Sequence, residues 1–199
     1  GFNSEIYCEH IPSELRQDIR HLTQLALENN YVLLVHHSLG YENQYWLDAL
    51  NVPKVMVYHN ITPEQFLPVE GHLRRQSVLG RQQLIDCAPS FIGGIGDSII
   101  NTDELEQAKF KNLKTIPLLV DVDKIRADKY NAELLSSLRG VVNLLFVGRI
   151  CENKQQLALL DVLADLKSNY NQPVRLILAG ATTSGAYEAQ IKEKIVDLG

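Results

Sequence analysis

Cysteine is scarce in this sequence. Cys8, Cys87 and Cys151 are odd in number and far apart, with no CxxC motif and no Cys/His pair at zinc-finger spacing. That excludes a disulfide framework and a structural zinc, and it fits a reducing cytosol. No run of about 18 apolar residues occurs. The opening GFNSEIYCEH lacks the basic-then-apolar pattern of a signal peptide, so the sequon Asn60-Ile61-Thr62 has no secretory context and reads as coincidence. A strong charge of one sign is missing too: the net charge of -5 and pI of about 5.7 argue against nucleic acid as the main partner, so any phosphate site must be local. Neither HExxH nor GxxxxGK(S/T) is present, and no Ser-His-Asp arrangement is suggested by spacing.

What is present is an ordinary globular composition, 45% hydrophobic and 22% charged, over 199 residues. That length suits one large domain or two small ones. Apolar runs recur as SEIYCEHI, YVLLVHHSL, KVMVYHNI, FIGGIGDSI, KTIPLLV, NLLFVGRI and VRLILAG, rich in Val, Ile and Leu without strict alternation. Strands buried on both faces have this pattern. Helical patterns lie between them, notably Ser13 to Glu28, with Leu15, Ile19, Leu22, Leu25 and Ala26 on one face, and Lys154 to Leu166, with Leu157, Leu160, Leu163 and Ala164. Ser13 after Pro12, and Asn101 or Thr102 before DELEQAKF, are the expected caps. Alternation of strand and helix predicts a parallel α/β architecture.

The polar stretch DVDKIRADKYNAELLSSLRG reads as a connector with one short helix. It divides the chain into an N-terminal unit, 1–121, a connector, 122–140, and a second unit, 141–199. The second unit has about 60 residues, marginal for a core by burial alone, and its sheet would have an exposed edge after VRLILAG. The expectation is a piece of something longer, prone to self-association.

Candidate site residues gather at strand ends. In FVGRICENK, Gly148 allows close approach of backbone to a ligand, and the following helix supplies amides and a positive dipole end for an anion. Arg149 offers a bidentate fork and Lys154 a mobile charge; the competing reading is that both are solvated loop residues. His36, His37 and His59 end two strands, where α/β proteins place ligands, although histidines bonded to nearby backbone are the alternative. Asn60 and Thr62 add polar groups beside His59, and Pro63 fixes the turn. FIGGIGDSI fails as a dinucleotide fingerprint because Ile99 stands at the third glycine position, so its glycines indicate close packing. Ser98 and Asn101 are candidates either for a ligand cleft or for a helix cap. GHLRRQSVLGRQQL carries Arg74, Arg75 and Arg81, which would suit an anionic acceptor or a membrane surface, with a solvated face as the plainer alternative.

In order and spacing, VPKVMVYHNITP, FIGGIGDSIINTDEL with KTIPLLVDVDKI, and LLFVGRICENK with RLILAG resemble the GT-B nucleotide-sugar glycosyltransferases of the group 1 (family 4) type. The resemblance covers nearly the whole chain. It implies two Rossmann-like units with parallel sheets, the second truncated here, the acceptor mainly on the first and the donor mainly on the second. It implies Gly148, Arg149 and Lys154 at the donor diphosphate, His59 at the donor sugar or reaction centre, and His37, Asn60 and Ser98 as further cleft residues. The implied activity is retaining transfer of a hexose from a nucleotide diphosphate sugar to a sugar or lipid-linked acceptor, as in polysaccharide biosynthesis. It needs no metal and no cofactor beyond the donor substrate, and it would take place in the cytoplasm or peripherally at the inner face of the membrane. The family's opening strand, glycine-rich loop and paired glutamates are missing: no glutamate from Glu5 to Glu193 has a partner at the family's spacing. A nucleotide-sugar epimerase of the same architecture and a non-catalytic nucleotide- or partner-binding module remain alternatives.

Overall fold

The computed structural model describes residues 3–25 and 30–198. The fold is α/β, and every strand pairing among these residues is parallel. Contacts divide it into two units, the first made of Gly1–His37, Glu42–His59 and Gln83–Ile116, the second of Ser38–Tyr41, Asn60–Gln82 and Pro117–Gly199.

The first unit is built on a four-stranded sheet. Its strands, counted after the short pair β1 (Ile6–Cys8) and β2 (Ile19–His21), are β3 (Leu33–His37), β4 (Lys54–Tyr58), β5 (Gly93–Gly96) and β6 (Leu113–Thr115), in the order β3-β4-β5-β6. Helix α1 (Gln44–Ala49) lies between β3 and β4, α2 (His72–Cys87) between β4 and β5, and α3 (Ile99–Gln107) between β5 and β6. Met56, Tyr58 and Leu105 form the centre of the core, and Phe91 meets Phe110 edge to face at 5.7 Å. Buried Lys54 is satisfied rather than stranded: its Nζ donates to the carbonyls of Leu50 at 2.7 Å and Asp48 at 3.3 Å, closing the end of α1.

The predicted helix from Ser13 is a 3-10 turn (Ser13–Leu15), then β2, then a second 3-10 turn (Leu22–Gln24); Ala26 and Glu28 lie outside the described residues. The backbone of Ile19–His21 pairs with Ile6–Cys8, and that pairing overrides a helical period whose member Leu15 stays exposed. Ser13 caps nothing; its hydroxyl donates to Glu14. Ser98 is the cap of α3, accepting from the Asn101 amide at 3.2 Å, so Asn101 and Thr102 are inside the helix. The strand expected in KTIPLLV ends at Thr115. Strand β3 is not buried on both faces, because its side chains alternate between the two environments.

The second unit holds α4 (Val122–Ala127) and α5 (Ala132–Ser137), two short helices where one was expected, then β7 (Val142–Val147), α6 (Gln156–Asn169), β8 (Val174–Ala179) and α7 (Gly185–Leu198). Asp121 and Asn131 cap α4 and α5 by accepting from Lys124 and Leu134 amides. Ile150, Leu160, Tyr187 and Ile191 form its core, with Leu157, Leu176 and Leu178 against them. The opposite face of β7 exposes Leu145 and Val147. In the segment 60–82 the loop after β4 is held to α2 by three donors: Ser77 Oγ to the Thr62 carbonyl at 2.6 Å, Arg81 to Ile61 at 2.5 Å and Arg74 to Glu64 at 3.1 Å. Arg74 and Arg81 are thus structural ties, while Arg75 is exposed as a solvated face would have it.

Candidate functional site

Parallel strands end at one edge of a sheet, and the register decides which side chains meet there. His36 pairs with Val57, and Val57 with Ile95. Side chains alternate along a strand, so residues two beyond Val57 and Ile95 share the face of His36. Those residues are His59 and Asp97. Their rings and carboxylate form a chain: His36 Nδ1 lies 2.7 Å from His59 Nε2, and His59 Nδ1 lies 3.3 Å from Asp97 Oδ2. The imidazoles meet edge to edge, with centroids 5.0 Å apart and planes 15° from parallel. Asp97 Oδ1 accepts from the side-chain amide of buried Asn101.

Gly96 makes this arrangement possible. A Cβ there would fall 2.5 Å from the Thr102 amide nitrogen and 2.8 Å from the Asn101 carbonyl carbon. Only glycine lets the first turn of α3 close on the end of β5, which brings Asn101 within reach of Asp97. Burial first, and then the charge that His59 can carry, hold His36 below the ordinary imidazole value.

Of the two adjacent histidines at the end of β3, the structure brings His36 to His59, and not the possible cleft residue His37. His37, on the opposite face, is 4% exposed, with its ring tilted against Tyr58 and its carbonyl accepting from the His59 amide at 3.1 Å. Exposed His36 occupies the place expected of His37. Ser98 is committed to capping. Asn60 follows His59 in left-handed conformation, φ 68°, which asparagine tolerates. Asp97 was missed; the available signal was a third strand end carrying a polar side chain, in GDS beside HHS and YHN.

The second candidate cluster belongs to the other unit, where β7 ends. Gly148 donates to the Ala179 carbonyl at 2.9 Å, and Ile150 to Ala181 at 2.9 Å. A Cβ on Gly180 would lie 1.9 Å from the Gly148 carbonyl oxygen, so the close backbone approach at Gly148 is with this neighbouring loop. The loop is further braced by Ser184 Oγ donating to Glu152 at 2.6 Å, and by fully buried Gln156 donating to the Arg149 carbonyl at 2.8 Å. Arg149 and Lys154 are exposed, and neither side chain has a hydrogen-bond or ion-pair partner among the described residues. Lys154 sits in a 3-10 turn (Glu152–Lys154) ahead of α6.

The entrance of α6 is less open than its sequence suggests. The Leu157 amide donates to the Tyr187 hydroxyl at 3.1 Å, and the Ala158 amide to the Gln155 carbonyl at 3.0 Å. The side-chain cations, more than helix amides, are therefore what this loop offers an anion. Among the described residues no group of three or more His, Cys, Asp or Glu side chains is placed to hold a metal, and no helix is long and apolar enough to cross a membrane. No protein-family model matches the chain, and a search of the curated proteins finds no match.

Proposed function

We propose that the chain belongs to a glycosyltransferase that uses a nucleotide diphosphate sugar, more narrowly one of the retaining group 1 (family 4) type. The observation that carries this reading is the pair Arg149 and Lys154: two exposed cations, without a side-chain partner among the described residues, on a braced loop at the carboxyl end of a parallel strand. A guanidinium fork and an ammonium suit a diphosphate, whose negative charge grows as the bond to the sugar breaks, and fixed cations stabilise that charge without reorganising.

In the first unit, taken by itself, His59 with His36 and Asp97 supplies hydrogen-bonding groups of the kind that hold a sugar hydroxyl. The donor is a nucleotide hexose of GDP-mannose or UDP-glucose type, the acceptor a sugar or lipid-linked sugar, and the setting the cytoplasm or the inner face of its membrane. Incubation of the full-length product with a panel of sugar nucleotides, followed by assay for free nucleoside diphosphate, tests the proposal. Release above a heat-denatured control supports it. Binding without release favours a non-catalytic module, and interconversion of the sugar without release favours an epimerase.

A further inference from the structure

We infer that the first unit holds a binding site for the phosphate of a small phosphorylated ligand, in a pocket formed by β2, the turns on either side of it and the segment after β1. The pocket has a volume of about 420 Å³ and is lined by Glu9, Arg16, Gln17, Arg20, His21 and Gln24. Pockets that take small ligands run to roughly 300–1,000 Å³. The lining is rich in donors. Arg20 is tied through Nη2 to Glu5 at 2.8 Å. Arg16 has no hydrogen-bond or ion-pair partner among the described residues, so its N–H groups and its charge are left for a ligand. The side-chain amides of Gln17 and Gln24 have no partner among the described residues either. His21 adds a donor. The Thr23 backbone amide only donates, so His21 Nδ1 accepts from it at 3.3 Å and the ring proton is on Nε2. Glu9, the carboxylate of the lining, accepts from the Asn43 side-chain amide at 3.4 Å.

These groups select the chemistry of the ligand. Donors on five side chains face a ligand that must supply acceptors, and a phosphate monoester supplies three terminal oxygens with about 1.5–2 negative charges near neutral pH, where a carboxylate supplies two oxygens and one charge. The guanidinium of Arg16 takes two of the phosphate oxygens in its fork, and its charge is not already spent on a carboxylate of the chain. Glu9 acts in the opposite sense: ionised, it only accepts, so it repels the phosphate and takes the hydrogen of a hydroxyl. The ligand therefore carries its phosphate at one end and hydroxyls at the other, which is the make-up of a sugar phosphate. Every residue of the lining belongs to the first unit. The site thus owes nothing to Arg149 and Lys154, and it does not rest on the glycosyl-transfer reading.

The test is calorimetric titration of the chain carrying Arg149→Ala and Lys154→Ala, so that the cation loop of the second unit adds nothing, with glucose 6-phosphate, glucose and citrate. Glucose 6-phosphate should bind at one site, and glucose should not bind. Adding Arg16→Ala should weaken glucose 6-phosphate about tenfold or more, the loss of a charged hydrogen bond, and Arg16→Lys should recover only part of that. Amide NMR of the same chain without an Arg16 substitution should place the shifts caused by glucose 6-phosphate on residues 9–24, which keeps the test decisive if an Arg16 variant fails to fold. No binding of glucose 6-phosphate, unchanged affinity without Arg16, or shifts confined to other residues overturns the site. Citrate binding as tightly as glucose 6-phosphate overturns the assignment to phosphate. No arm contains a nucleotide, so failure here is separate from failure of nucleoside diphosphate release, which counts against the transferase reading alone.

Discussion

Replacing Gly96 by alanine places a methyl group 2.5 Å from the Thr102 amide nitrogen, 2.6 Å from Thr102 Oγ1 and 2.8 Å from the Asn101 carbonyl carbon. Two of these are backbone atoms. The hydroxyl cannot swing away freely, because it donates to the Ser98 carbonyl at 3.0 Å and lies 2.7 Å from Thr115 Oγ1. The first turn of α3 has to lift from the end of β5. Overpacking of this kind costs about 1–3 kcal/mol, and backbone neighbours put Gly96→Ala at the upper end. At about 2–4 °C per kcal/mol for a chain of this size, thermal unfolding should move down by roughly 6–12 °C. Gly71→Ala is the control: its nearest atom is the Pro68 carbonyl oxygen at 3.9 Å, so its effect should stay within about 1 kcal/mol of zero. Circular dichroism melting of both variants is the assay, with amide NMR reporting whether Asp97 and Asn101 move. If Gly96→Ala melts like Gly71→Ala, the close approach of α3 to β5 is not what holds this edge together.

Leu160→Ala in α6 removes a core residue that is 3% exposed, and should cost about 2–5 kcal/mol, read from urea denaturation; a loss under about 1 kcal/mol would mean the second unit has no tight core. Burial pushes the Cys87 thiol up to about 12, so at pH 8 a thiol reagent should label Cys8 in the folded chain and reach Cys87 only on unfolding; simultaneous labelling of the two would contradict the burial. His36 is held below its ordinary 6.5 in the fold, so the unfolded chain takes up that proton first. Its contribution to stability is full above pH 6.5, is lost as pH falls through that value, and levels off below the lowered folded pKa. Urea midpoints for wild type and His36→Asn should therefore diverge between pH 7.5 and pH 5, and parallel curves would refute the linkage.

The strands were legible because a parallel strand carries a dense Val, Ile and Leu run that needs no partner to recognise, as in YVLLVHH and NLLFVGR. β2 was not legible: its pairing is with β1 and leaves no mark in the helical spacing of Leu15, Ile19 and Leu22. The cation loop could be read because strand, glycine and basic residues are contiguous. The histidine site could be read only in part. That His36 and not His37 faces His59 follows from the register of β3 on β4, which is a relation between strands. Capping of Leu157 by Tyr187 joins residues far apart in sequence, so the expected free amides of α6 had no local sign of their partner.

The central claim is that Arg149 and Lys154 hold a diphosphate. Calorimetric titration of the chain with a nucleoside diphosphate and with the bare nucleoside, for wild type, Arg149→Ala, Arg149→Lys and Lys154→Ala, tests it most directly. Each alanine removes a charged hydrogen bond worth on the order of 1.5–3 kcal/mol, so diphosphate binding should weaken tenfold or more while nucleoside binding scarcely changes. Arg149→Lys should recover only part of the loss, since an ammonium keeps the charge without the planar fork. Equal weakening for both ligands, or none for either, would contradict the claim and leave Arg149 and Lys154 as ordinary surface residues.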